Sequence, residues 1–225
     1  MRLFSLDSPV FRFLTLLADL MILNVVYVIT CIPVITIGAA TCALYRTMLD
    51  RRYDRDAGVN AYFRFFKANF KQATPRYLLC LLIGIILVFD IRYAQSGQIP
   101  MAGFLVPLFI ALFIVLLAIS SWVLALTGQF DNTAKSTFRN AAFFAIRHLP
   151  VSLLLLLRFL PALLALLSAE LFLIVSIVFF LIYYALIAYL ASGPLSRIFL
   201  SLMPPEEAAE RTGEIREKKK AEEDS

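Results

Sequence analysis

The chain has 225 residues, 61% of them hydrophobic and 16% charged, with a mean hydropathy of +0.82. An ordinary soluble domain carries about 45–50% apolar and about 25% charged residues, so this composition excludes one. The formal charge of +5 does not point to nucleic acid, because Lys and Arg cluster in two segments between apolar runs, as orientation signals do. Runs such as VSLLLLL lack the alternation of a transmembrane β-strand. The expected fold is all-α: a polytopic membrane helical bundle over 1–202 with amphipathic interfacial helices, followed by a charged tail over 203–225.

Five spans are predicted, at about 13–37, 77–94, 104–127, 149–168 and 170–192. A hydrocarbon core of ~30 Å asks for helices of ~20 residues. The first apolar stretch outruns the 7–15 apolar residues of a signal peptide, so it reads as a span and not as a cleaved leader. Asp19 lies about a third of the way along it, with Asn24 further in. Its end, CIPVITIG, reads as an exit motif. Phe11 to Thr30 already gives about 30 Å of helix, which puts Pro33, Thr36 and Gly38 near the inner boundary. Pro33 would end or bend the span. Thr36 and Gly38 would start an interfacial helix over about 39–53, with Tyr45 and Arg46 at headgroup level.

The stretch NAYFRFFKANFKQAT, about 60–74, follows. At 100° per residue, Tyr62, Phe63, Phe66 and Phe70 share one arc, and Arg64, Lys67 and Lys71 fall on the far side. That pattern predicts a helix in the headgroup plane, drawn to anionic lipid headgroups. Arg76, after Pro75, opens the second span, whose outer end carries Asp90. A weaker echo, KSTFRNAAFFAIRHLP, predicts another interfacial helix over about 135–148 bearing Arg139 and Arg147. The fourth span, LLLLLRFLPALLALL, has Arg158 mid-way, and only Ser168–Glu170 separates it from the fifth. The tail mixes acidic and basic residues with few large apolar ones and reads as a disordered, solubilising segment.

Lys and Arg assign the two basic loops and the tail to the cytoplasm. Five spans then leave the N-terminus outside, whereas a re-entrant hairpin over 13–44 would put it inside.

Catalytic patterns are absent: there is no GxGxxG, no P-loop and no HExxH. The single histidine, His148, lacks the companions zinc needs. Cys31, Cys42 and Cys80 have no CxxC spacing and read as small core residues. No enzyme activity, cofactor or metal is expected. The informative residues are the ionisable ones inside spans. A charge at mid-bilayer costs at least ~2.5 kcal/mol and should find a partner. Arg158 lies about 13 Å from the inner edge, and Asp19 about 11 Å from the edge nearest the N-terminus. An Arg158–Asp19 pair is therefore expected, with Asn24 or Asp90 nearby. It would either fix helix register or form a polar site for an ion or small solute. Pro161 should leave a carbonyl near Arg158 needing a donor.

Ser8–Pro9, Phe11–Arg12–Phe13, Ala18–Asp19, Asn24 and Pro33–Val34–Ile35–Thr36–Ile37–Gly38–Ala39, with FFKANFKQAT ending at Thr74, resemble the YesL family of bacterial integral membrane proteins. The resemblance extends more loosely to the tail. It implies no established activity and no catalytic or binding residue. Its members occur in Gram-positive bacteria, often encoded near carbohydrate-uptake transporters and two-component regulators of polysaccharide use. A non-enzymatic accessory or regulatory role in sugar import or its sensing, in the plasma membrane, is what the resemblance implies. ABC transporter or sensor kinase subunits would then be partners, and self-association is also compatible. The contact face would carry Arg64, Lys67, Lys71, Arg76, Arg139 and Arg147. The rival expectation is a small-solute or ion transporter or channel using Asp19, Asn24, Asp90 and Arg158.

Overall fold

Hydrocarbon offers no hydrogen bonds to a backbone, so apolar segments of this length fold as helices that satisfy their own. The computed structural model describes residues 9–53, 55, 57–96 and 101–208, and no strand occurs among them. In chain order the helices are α1 (Pro9–Cys31), α2 (Ile37–Arg52), α3 (Val59–Gln95), α4 (Ala102–Gln129), α5 (Ala134–Arg147), α6 (Leu149–Leu156), α7 (Leu160–Leu167), α8 (Ala169–Val178) and α9 (Tyr184–Leu200). Short 3-10 turns at Val34–Thr36 and Leu157–Phe159, and a π turn at Phe179–Tyr183, interrupt them. Five helical stretches are long and apolar enough to cross a membrane: Val10–Cys31, Val59–Gln95, Ala102–Gln129, Leu149–Leu167 and Ala169–Leu200. The molecule is the expected all-α polytopic bundle.

Its legs nevertheless number six. Asp19 of α1 meets Arg51 at the end of α2, and Tyr27 meets Thr41 near its start, so these helices run antiparallel. Arg46 lies over Phe65 while Gly38 abuts Ala73 and Tyr77, so α2 and the first half of α3 are antiparallel too. Arg76 bonds Thr127 and Gly84 faces Phe113, which reverses α4 against α3. The α6–α7 leg then pairs with α9 and α8, the start of one against the end of the other. Successive legs alternate, and the beginning of α1, the end of α2, α5 and the end of α9 gather at one end of the bundle. An odd number of spans put the two termini of the membrane domain on opposite faces. The sixth leg, α2, brings them to the same end.

The hydropathy of α2 hides it because protein, not lipid, surrounds it. Ala39, Ala40, Cys42, Ala43, Met48 and Leu49 are all fully buried. The predicted interfacial helix over 39–53 is thus the centre of the bundle. Tyr45 is buried, and Arg46 donates to Gln129 Oε1 at 2.8 Å and pairs with Asp50, so both are engaged within the bundle. Small residues let the neighbours close in. A Cβ on Gly38 would collide with Tyr77 Cβ, and one on Gly128 would stand 2.9 Å from the Cys42 carbonyl oxygen.

The helix α3 also departs from the expected division. The predicted interfacial helix and second span form one helix of 37 residues that passes through Pro75 without ending. A proline removes one backbone bond, and the packing of Ala73 and Tyr77 on Gly38 spans that point. The aromatic arc points inward: Tyr62 is fully buried, and Phe66 and Phe70 pack on Ala39, Cys42, Ala73 and Leu124. Only Phe63 of that arc is exposed. By contrast α5 turns Ala141, Phe144 and Ala145 inward and leaves Phe143 and Ile146 outward, with Arg147 over the Phe143 ring at 5.5 Å. The helix is displaced by one residue from the expected 135–148. The start of the tail is docked: Met203 is buried and Ala208 packs on the core. The rest of the tail, like Ser8, lies outside the described residues.

Candidate functional site

The predicted intramembrane cluster does not assemble. Asp19 accepts two hydrogen bonds from Arg51, Nη1 and Nη2 each at 3.0 Å. Matching depths suggested Arg158 as its partner, but the antiparallel return of α2 delivers Arg51 first. Asn24 is fully buried and spent elsewhere. Its Nδ2 donates to the Phe179 and Phe180 carbonyls at 3.0 and 2.6 Å, and its Oδ1 accepts the Ala185 amide at 2.9 Å. A π turn leaves carbonyls without their usual i+4 donors, and this one amide serves both sides of the turn. Asp90 makes no ion pair with the other three among the described residues. The four residues offered as a solute pathway therefore lie in separate environments.

The exit motif behaves partly as expected. Pro33 follows the break in α1, but Thr36 closes the first helix instead of capping the second. Its hydroxyl donates to the carbonyls of Thr30 and Pro33, at 2.5 and 2.6 Å, and makes no side-chain cap to α2. Gly38 serves the α2–α3 approach described above. Around the turn Ile32 is 76% exposed, and Val34 and Ile35 are also exposed. Such a tip suits hydrocarbon better than water or headgroups.

Of the basic residues offered as a contact face, Arg64, Lys67, Lys71, Arg139 and Arg147 are exposed. Arg76 is not. It is 6% exposed and donates to Thr127 Oγ1 at 2.8 Å and to the Asn132 carbonyl at 2.6 Å, tying α3 to the end of α4. The cysteines are free, and Cys42 Sγ lies 3.1 Å from the Leu124 carbonyl oxygen in the core. His148 stacks near Trp122 and Phe144, with ring centroids 6.1 and 5.8 Å away, as a packing residue. No group of three or more His, Cys, Asp or Glu among the described residues could hold a metal ion.

Arg158 remains. It stands on the 3-10 turn before Pro161, with its guanidinium carbon 4.5 Å from the centroid of the Phe159 ring. The carbonyl whose i+4 donor Pro161 removes is that of Leu157, and it accepts the Leu160 amide and, at 2.7 Å, the Tyr183 hydroxyl. Arg158 is only partly served, by a hydrogen bond to the Tyr45 hydroxyl. Its Nη1 is buried without a hydrogen-bond partner, and it makes no ion pair among the described residues. It lines two apolar cavities, of about 290 and 260 Å³, that share Tyr77, Arg158 and Phe159. Sequence reasoning singled out Arg158 but missed these cavities, since no local pattern announces a gap between helices.

Bundle and site together define an α-helical polytopic protein of the membrane-spanning type. Residues 20–91 match the family model described as "Protein of unknown function, DUF624". The match runs from within α1 through α2 and most of α3, about a third of the chain, and is consistent with the resemblance to the YesL family. Neither a curated protein nor a solved structure matches the chain.

Proposed function

We propose that this chain is a non-enzymatic membrane component, accessory to or regulatory of bacterial carbohydrate uptake or sensing, that acts by contact with an ABC transporter or sensor kinase subunit. The observation that carries the reading is the disposition of charge. Polar groups inside the bundle are largely consumed by internal bonds, as for Asp19, Asn24 and Arg76. Exposed basic side chains on two separate helices, Arg64, Lys67 and Lys71 on α3 and Arg139 and Arg147 on α5, face outward at one end. A transporter working alone would need a chain of polar groups along its spans, and the four residues offered for it are dispersed. The choice of carbohydrate systems rests on the YesL resemblance alone, with which the match over residues 20–91 is consistent.

Affinity purification in mild detergent, from native cells grown on plant polysaccharide, tests the reading. A transporter or kinase subunit should co-purify, and Gln at Arg64, Lys67 and Lys71 together should reduce its recovery. A monodisperse chain without such a partner, coupled with solute flux into proteoliposomes holding this chain alone, would overturn it.

A further inference from the structure

We propose that Arg158 binds the phosphate of an anionic phospholipid from the surrounding bilayer, with its two acyl chains lying in the two apolar cavities that meet at this residue. The need for an anion comes from Arg158 itself. Its buried Nη1 has no partner. The neighbours within its electrostatic reach include Tyr27, Tyr45, Tyr77, Tyr184, Cys31 and Cys80, with the Tyr45 hydroxyl hydrogen-bonded to it. These bring hydroxyls and thiols but no negative charge. The carboxylate expected as its partner, Asp19, is held by Arg51. A guanidinium in this position is neutralised by a group from outside the described chain. Phosphate suits its planar fork, because two oxygens can accept parallel N–H bonds.

The need for two hydrocarbon chains comes from the cavities. The first, about 290 Å³, runs between α3 and α4 from Tyr77 to Phe89, about 18 Å along the helix. Gly84 forms part of its wall, where a Cβ would still stand 3.6 Å from Phe113, so the missing side chain leaves room. The second, about 260 Å³, opens on the other side of Arg158 beside Val28, Ala162 and Tyr184. A third, about 240 Å³, continues from Val28 and Tyr184 past Pro161 to Phe172. One charged head between two apolar channels is the shape of a diacyl phospholipid. A fatty acid or a single-chain isoprenoid phosphate would leave one channel empty. Arg158 lies about 13 Å beyond Leu149, where α5 gives way to α6, so the headgroup is drawn inward from the surface.

Native mass spectrometry of the full chain, purified in mild detergent and offered equal phosphatidylglycerol and phosphatidylcholine, reads the site directly. One phosphatidylglycerol per chain should be retained in preference to phosphatidylcholine. Arg158→Gln should lower that preference about tenfold, the scale of a lost charge-assisted hydrogen bond, while Arg158→Lys retains part of it. Gly84→Leu fills the first channel and should weaken retention of both lipids in a chain that still elutes as one sharp peak, which keeps the test informative if Arg158→Gln fails to fold. Four results would overturn the proposal. The first is unchanged selectivity in a folded Arg158→Gln. The second is tighter binding of a single-chain fatty acid or isoprenoid phosphate. The third is displacement of the lipid by inorganic phosphate alone. The fourth is loss of selectivity on replacing Arg64, Lys67 and Lys71 with Gln but not on replacing Arg158.

Discussion

The end of the bundle built around α2 and the end formed by the outer reaches of α3, α4, α7 and α8 are assembled by different rules. Around α2, glycine and alanine bring backbones into contact, and polar side chains such as Asn24, Thr41, Ser152 and Arg76 are hydrogen-bonded across helices. In the outer end the helices touch along narrow seams. Only 6% of the most apolar window of α4 and 11% of that of α3 is buried within the chain. Leu82, Ile86, Phe89, Phe104 and Leu166 are exposed there. Lipid tails are as apolar as leucine and give helices no hydrophobic reason to pack. Close packing has to be written into the sequence by small and polar residues, and only the first region contains enough of them.

Substituting one glycine in each region is the sharpest way to break this contrast. Gly38→Ala should cost about 3 kcal/mol, because the new Cβ meets Tyr77 Cβ, which cannot swing away. Thermal unfolding in detergent should show a large drop or no folded protein, and a wild-type melting curve would refute the close α2–α3 approach. Asn24→Leu comes next, at about 1–3 kcal/mol, since it leaves two carbonyls of the π turn unserved. The same melting assay measures it, and a neutral result would mean that the turn does not depend on Asn24. Asp19→Asn should cost only about 0.5 kcal/mol, because both side chains of the pair are partly exposed. Combining Asp19→Arg with Arg51→Asp should restore what either loses, whereas combining Asp19→Arg with Arg158→Asp should not. Smallest of all is Gly103→Ala. No atom lies within 4 Å of a Cβ built there, so the melting temperature should hold or rise slightly. A loss comparable to that of Gly38→Ala would erase the distinction between the two regions.

The apolar helices were legible in the sequence because composition and run length alone decide them. The helix α2 was not, since a hydropathy window measures affinity for lipid and α2 is solvated by other helices. Its signal was of another kind: GAATCA, a run of small residues that permits contact on every side. Pro75 misled because a proline does break helices in isolation, but long-range packing on Gly38 holds this one together. The Asp19–Arg158 expectation failed for want of direction. Depth along a span says which residues can be level, not which helix returns beside which. Asn24 was rightly marked as an expensive polar residue, yet its partners are carbonyls of FFLIY, which carry no side-chain signal.

That π turn also sets rotational phase. An α-helix advances about 100° per residue, so one extra residue within a turn rotates everything beyond it by that angle relative to an unbroken helix. Before the turn, Leu173, Ile174 and Ile177 look outward. After it, Ala185, Ala188, Ala191 and Ser192 face inward, and Ser192 receives the Arg52 Nε–H at 3.1 Å. Asn24 thus acts as a detent on a dial, holding the second half of the last leg at the angle where its small residues meet α2. Deleting a single residue from Phe179–Tyr183 would turn that face toward lipid without altering the hydropathy of the span.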